Sequence, residues 1–143
     1  MLRRLFIVLA ILTASAAPAQ ACRAYRSPAD RIAGLRSHTG FAGALLVRVN
    51  TARYTEPARR DYHPWQADAT IRRSLGAGRQ PGAIRFGRSG STSACDDLTP
   101  VPARGDLWVL YLSRSGDNKV VVNLSYPLAV AKREDPRLAA TLR

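Results

Sequence analysis

The stretch from Leu107 to Tyr126 constrains the fold more than any other part of the chain. Leu107-Trp108-Val109-Leu110-Tyr111-Leu112 is apolar on both faces, as a central strand is. Lys119 to Tyr126 sets Val120, Val122, Leu124 and Tyr126 in alternation with Val121, Asn123 and Ser125, the period of a strand. Ser113-Arg114-Ser115-Gly116-Asp117-Asn118 joins the two runs as a hairpin connection. Two long antiparallel strands with this much apolar surface need further strands and a second layer to cover them.

The chain upstream supplies three more. Phe41 to Tyr54 holds Leu45, Val47 and Val49 in alternation with Arg48 and Asn50, the signature of a half-buried strand. Thr55 to Asp68, with Pro57, Pro64 and Arg59-Arg60-Asp61, reads as a long loop from which Trp65 folds back onto the core. Ala69 to Leu75 is a second strand with Ile71 and Leu75 as its apolar positions, and Gly76 to Gly82 turns the chain into a third strand, Ala83 to Phe86. Gly87 to Cys95 is small and polar, a surface loop, and Pro100 and Pro102 keep Asp96 to Asp106 irregular. A short helix precedes the first strand, with Ser27 as cap, Pro28 at its first position, Asp30 in its first turn, Ile32 and Leu35 on its apolar edge and a stop near His38-Thr39-Gly40. Lys132 to Arg143 forms a second, placing Leu138 and Leu142 on one side. Five strands, one or two short helices and no strand–helix alternation predict a mainly β fold, a small closed five-stranded barrel of the OB-fold-like kind.

At the amino terminus Arg3 and Arg4 precede the apolar run Leu5 to Leu12, and small residues follow up to Ala19-Gln20-Ala21. That is the pattern of a secretory signal peptide over residues 1–21, cut to leave Cys22 first. The apolar run is short of the roughly 20 residues a membrane span takes. The expected mature chain is one domain, residues 22–143, secreted or periplasmic and without a transmembrane segment. Acylation of Cys22 is the less favoured alternative, because acylated chains usually carry Leu where Ala19 stands.

Cys22 and Cys95 are the chain's 2 cysteines. In an oxidising compartment an even count predicts a disulfide, and only one pairing exists. Closing so long a loop stabilises a fold by about 4 kcal/mol on the chain-entropy account. A bond at the first residue also fixes an end that would otherwise fray.

The formal charge is +12, from 22 basic and 10 acidic residues, most of the former arginine. They are spread along the chain rather than gathered in a block, which favours anionic partners such as glycans, lipid headgroups, nucleic acid or an acidic protein face and names none of them. Little supports catalysis, and the chain is not read as an enzyme. His38 and His63 have no Cys, Asp or Glu at ligand spacing, so no metal of its own is expected. Gly87-Arg88-Ser89-Gly90 lacks the spacing of a nucleophile elbow, and Gly76-x-Gly78 meets Pro81 where a dinucleotide loop needs glycine. No cofactor is expected. Phe86, Trp108 and Tyr111 lie on strands where some barrels of this class stack bases, but core packing accounts for them and no nucleic-acid partner is expected.

Taken in order, these features resemble the inhibitory domain of the tissue inhibitors of metalloproteinases, within the netrin-like barrels. The resemblance rests on a mature chain that begins with Cys22 and a short helix before Ala44-Leu45-Leu46-Val47-Arg48-Val49. It rests also on the Ser91-Thr92-Ser93-Ala94-Cys95 loop, and on Leu107 to Leu112 followed by a Gly116-Asp117 turn and an alternating strand. It implies a Cys22–Cys95 pairing and a monomeric inhibitor of zinc metalloendopeptidases. The amino group and carbonyl of Cys22 would chelate the target's zinc, and Arg23, Ala24 and Tyr25 with Ser93, Ala94 and Cys95 would form the ridge that enters the protease. Ala24 stands where the family usually has another cysteine. Arg23 replaces the small hydroxyl residue that points into the protease's specificity pocket, so a deep apolar pocket would reject it. A netrin-like module that holds anionic glycans or an envelope protein, without inhibition, is the alternative.

Overall fold

A computed structural model describes residues 27–56, 64–78, 82–88 and 100–142. Among them run α1 (Pro28–Ser37), β1 (Phe41–Tyr54), β2 (Trp65–Leu75), β3 (Ala83–Arg88), β4 (Leu107–Arg114), β5 (Val120–Pro127), α2 (Leu128–Glu134) and α3 (Pro136–Thr141). The strands form one antiparallel sheet in the order β3-β2-β1-β4-β5. The chain thus meanders outward from the central β1 through β2 to β3, then crosses to the far side of β1 and adds β4 and β5. The sheet curls until β3 and β5 have Cα atoms within 8 Å of each other, yet no ladder joins them. The mainly β, OB-fold-like class expected from the sequence is present, as a half-barrel left open at this seam.

Alternation along the strands sorts the side chains, and bulges re-sort them. Leu45, Val47 and Val49 face inward at 0–1% exposure. They meet Trp65, Ala67 and Ala69 of β2, Phe86 of β3, and Trp108, Leu110 and Leu112 of β4 in the inner core. Trp65 packs edge-on against Phe86 and Trp108 at centroid distances of 5.6 and 5.5 Å, an arrangement that adds about 0.5–1.5 kcal/mol per pair to the area buried. The outer face has its own core at one end, where Ala44, Val109, Tyr111 and Tyr126 pack against Ile32 of α1, Ala131 of α2 and Leu138 of α3.

Several sequence expectations hold and several shift. α1 has its Ser27 cap as expected, the hydroxyl accepting from the Asp30 amide at 3.1 Å. β2 begins at Trp65 rather than Ala69, because Pro64 can precede the strand and the next four residues pair with β1 and β3. β3 runs on through Gly87 and Arg88. A Cβ on Gly87 would collide with the Trp65 carbonyl oxygen, so glycine is there for close strand packing and not for a loop. Single alternation fails at four points. Ladder register skips Ala42 and Asn50 in β1, Arg72 in β2 and Asn123 in β5. Ile71 therefore packs on the inner core and Leu75 on the outer, and Val122 and Leu124 part in the same way. The expected tail helix begins earlier, at Leu128, and Pro136 breaks it into α2 and α3 with Asp135 between, giving three helices where one or two were expected.

Candidate functional site

The residues that the sequence singles out for binding, Cys22, Arg23, Ala24, Tyr25, Ser93, Ala94 and Cys95, lie outside the described residues, as do His63 and Pro81. Their chain neighbours are described. The segment with Cys22 leads directly into Ser27 and α1, and the segment with Cys95 connects Arg88, the end of β3, to Pro100. Beyond Pro100 the chain is firmly placed. Pro102 is buried, Val101 packs on the inner core, and a turn closed by the Ala103 amide donating to Asp106 Oδ2 at 2.8 Å docks on β1 through Gly105 N–H to Val49 O at 2.8 Å. Positive φ at Gly105 (93°) makes that turn possible.

The strand aromatics are unavailable for base stacking. Phe86 and Trp108 are 4% and 1% exposed inside the curl, and Tyr111 is fully buried beneath the helices. Gly76 and Gly78 adopt φ of 82° and 66°, which is turn geometry. His38 caps α1, and its Nδ1 accepts from the Gly40 amide at 3.0 Å. Among the described residues no group of three or more His, Cys, Asp or Glu could hold a metal ion, and no helix is long and apolar enough to cross a membrane.

The described residues carry two polar constellations. The first is buried. Asp135, 2% exposed, ends α2 and caps α3, its Oδ1 accepting from the Leu138 amide at 3.3 Å. Its Oδ2 accepts from Arg36 Nη2 at 2.7 Å, Arg36 Nε at 3.1 Å and the Tyr111 hydroxyl at 2.9 Å. Arg36 lies over the rings of Phe41 and Tyr111 at 5.1 and 5.7 Å. Burial, then the neighbouring Asp135 carboxylate, push the Tyr111 phenol far above its ordinary range. Asp135 thus gathers Arg36 of α1, the Tyr111 hydroxyl of β4 and the start of α3, and the cluster fastens the three helices to β4. A hollow of about 300 Å³ beside it, between α1 and the α2–α3 junction, is an open crease.

The second is exposed. On the outer face of β1, β2 and β3, Arg48, Arg53 and Arg85 stand clear of the helical core and Arg73 stands at its edge opposite Leu46, with Asn50, Gln66 and Thr70 among them. Asp68 is the carboxylate on this patch. Arg85 Nε donates to its Oδ1 at 2.7 Å, and that hydrogen bond holds Asp68 below the usual carboxylate range. The Asn50 amide and Thr70 hydroxyl bond each other at 3.0 and 3.2 Å. Sequence reasoning missed this grouping. The arginines are scattered over nearly forty positions, and only the strand register, with its bulges at Asn50 and Arg72, brings them to one face. Arg36 and Asp135, 99 positions apart, gave no sequence signal at all.

Comparison with protein-family models, with curated protein sequences and with solved structures finds no match to this chain.

Proposed function

We propose that this chain is an exported inhibitor of zinc metalloendopeptidases that acts through the processed amino terminus at Cys22. The observation that carries the reading is the order of elements around the two cysteines. A short helix follows Cys22, a three-stranded meander follows the helix, the Cys95 segment joins β3 to β4, and a hairpin and helices complete an OB-fold-like half-barrel. The resemblance noted in the sequence implies that order.

The mechanism follows from coordination chemistry. A free α-amino nitrogen and the carbonyl oxygen of the same residue close a five-membered chelate on the target's zinc, taking the place of the water that the protease must activate. The nitrogen has to be unprotonated, and with an ordinary α-amino pKa near 8 the metal faces only a modest competition with the proton. A Cys22–Cys95 bridge would hold the chelating residue and the Ser93-Ala94-Cys95 segment together before binding, sparing the cost of ordering them in the complex. Arg23 directs the choice of target toward proteases with an acidic or open specificity pocket. The chain contributes no catalysis of its own.

The test compares protein beginning at Cys22 with protein carrying one additional alanine ahead of it, against a panel of zinc endopeptidases. The expected result is inhibition by the first form and a loss of roughly a hundredfold or more in the second, the measure of one lost chelate. Equal inhibition by both forms, or inhibition by neither, overturns the proposal.

A further inference from the structure

We infer that the uncovered outer face of β1, β2 and β3 is a docking surface for a linear acidic polysaccharide, bound through Arg48, Arg53 and Arg73. This surface is separate from the proposed inhibitory ridge and does not depend on it.

Four observations converge on that occupant. Charge comes first. The four arginines are exposed, and Asp68, the patch's carboxylate, is already engaged by Arg85. Arg48 and Arg73 have no hydrogen bond or ion pair among the described residues, and Arg53 shares Asp68 with Arg85 as a more distant charge, so four arginines stand against one carboxylate on this part of the described surface. Second, these are arginines, whose planar forks meet sulfate and carboxylate groups with two parallel hydrogen bonds.

Third, the strip is long. Arg48 and Arg53 are five positions apart on one strand, which spans about 15 Å, and Arg73 lies on the next strand opposite Leu46, beyond Arg48. A single small anion cannot bridge side chains spread that far, whereas a polymer with charges at intervals can. Fourth, the neutral residues between the charges are hydrogen-bonding ones, Asn50, Thr70 and Gln66, suited to sugar hydroxyls. Among the described aromatic residues, the exposed one near the strip is Tyr54, which follows Arg53 at the end of β1 and by strand alternation takes the opposite face, that of Trp65. Trp65, Phe86 and Trp108 point inward and Tyr111 and Tyr126 lie under the helices, so among the described residues the strip has no row of rings of the kind on which successive bases of a single strand stack.

The experiment measures binding of the full secreted chain to heparin and to polygalacturonate at physiological salt, with duplex and single-stranded DNA of matched charge as competitors. Two triple variants are compared with the parent. One removes charge from the strip (Arg48→Gln, Arg53→Gln, Arg73→Gln), and the other removes the same charge from exposed positions elsewhere (Arg104→Gln, Lys132→Gln, Arg137→Gln). Thermal midpoints confirm that each variant folds. The expected outcome is binding to at least one polysaccharide that is tighter than to either DNA, weakened roughly ten- to a hundredfold in the strip variant and little changed in the other. Equal weakening in both variants shows attraction by bulk charge and overturns the site. Tighter binding to DNA overturns the choice of partner, and the absence of polysaccharide binding overturns both.

Discussion

One sheet face in this protein is built in two ways, and β1 carries the boundary. Leu46 and Arg48 point to the same side two residues apart, yet Leu46 packs beneath the helices while Arg48 stands in solvent opposite Thr70. The roofed half is held by apolar area plus one buried ionic node. The uncovered half gains no burial on this face; its strands are held by the ladder and by the inner core on their other side, and it dresses this surface with arginine, amide and hydroxyl groups. On this face, stability is therefore expected to concentrate under the roof, and the side chains of the open half are free to vary in charge without loss of the fold.

The sharpest way to test that division is to remove the node. Asp135→Ala strands the partly buried Arg36 guanidinium, leaves the Tyr111 hydroxyl without an acceptor and uncaps α3, and breaking a buried pair from one side costs about 3–5 kcal/mol. Urea unfolding monitored by far-ultraviolet circular dichroism should show a loss of that size. A loss below 1 kcal/mol would mean that the helices are not what holds the outer core.

Leu138→Ala acts on the apolar side of the same roof. Leu138 is 2% exposed, and truncation of such a side chain costs about 2–4 kcal/mol, to be read from the same urea curves.

Tyr111→Phe should cost about 1–2 kcal/mol at neutral pH for one hydrogen bond to a buried carboxylate. It should also change the alkaline limb. The folded phenol titrates far above an unfolded tyrosine, so its contribution is complete below pH about 10 and declines as pH rises past that point, where the unfolded chain gains by ionising. The parent should lose stability more steeply than Tyr111→Phe above pH about 10, and identical slopes would remove Tyr111 from the node.

On the uncovered half, Arg48→Gln should shift stability by less than about 0.5 kcal/mol. A larger effect would erase the contrast between the halves.

The sequence showed much of this architecture and hid the rest for identifiable reasons. The Ser27 cap, the exact span of β1 and the inward set Leu45, Val47 and Val49 could be read because each depends on neighbours within a few residues. The face assignments of Leu75 and Leu124 could not, since a single bulge at Arg72 or Asn123 reverses everything after it. Pro64 suggested a longer loop than exists, because a proline just before a strand looks the same in sequence as one inside a turn. The arginine strip and the Asp135 node both depend on pairing between distant segments, which no local pattern encodes. The proposed inhibitory site was legible only as chemistry, a terminal cysteine and a second one in a small polar segment, and its residues lie outside the described part of the fold.

The most direct test of the functional account is the intact mass of the protein recovered after export, taken before and after reduction. The account predicts the mass of residues 22–143 less two hydrogens, with an unmodified amino group on Cys22, and the gain of those two hydrogens on reduction. A mass that retains residues 1–21, that includes fatty acyl groups, or that does not change on reduction would contradict it.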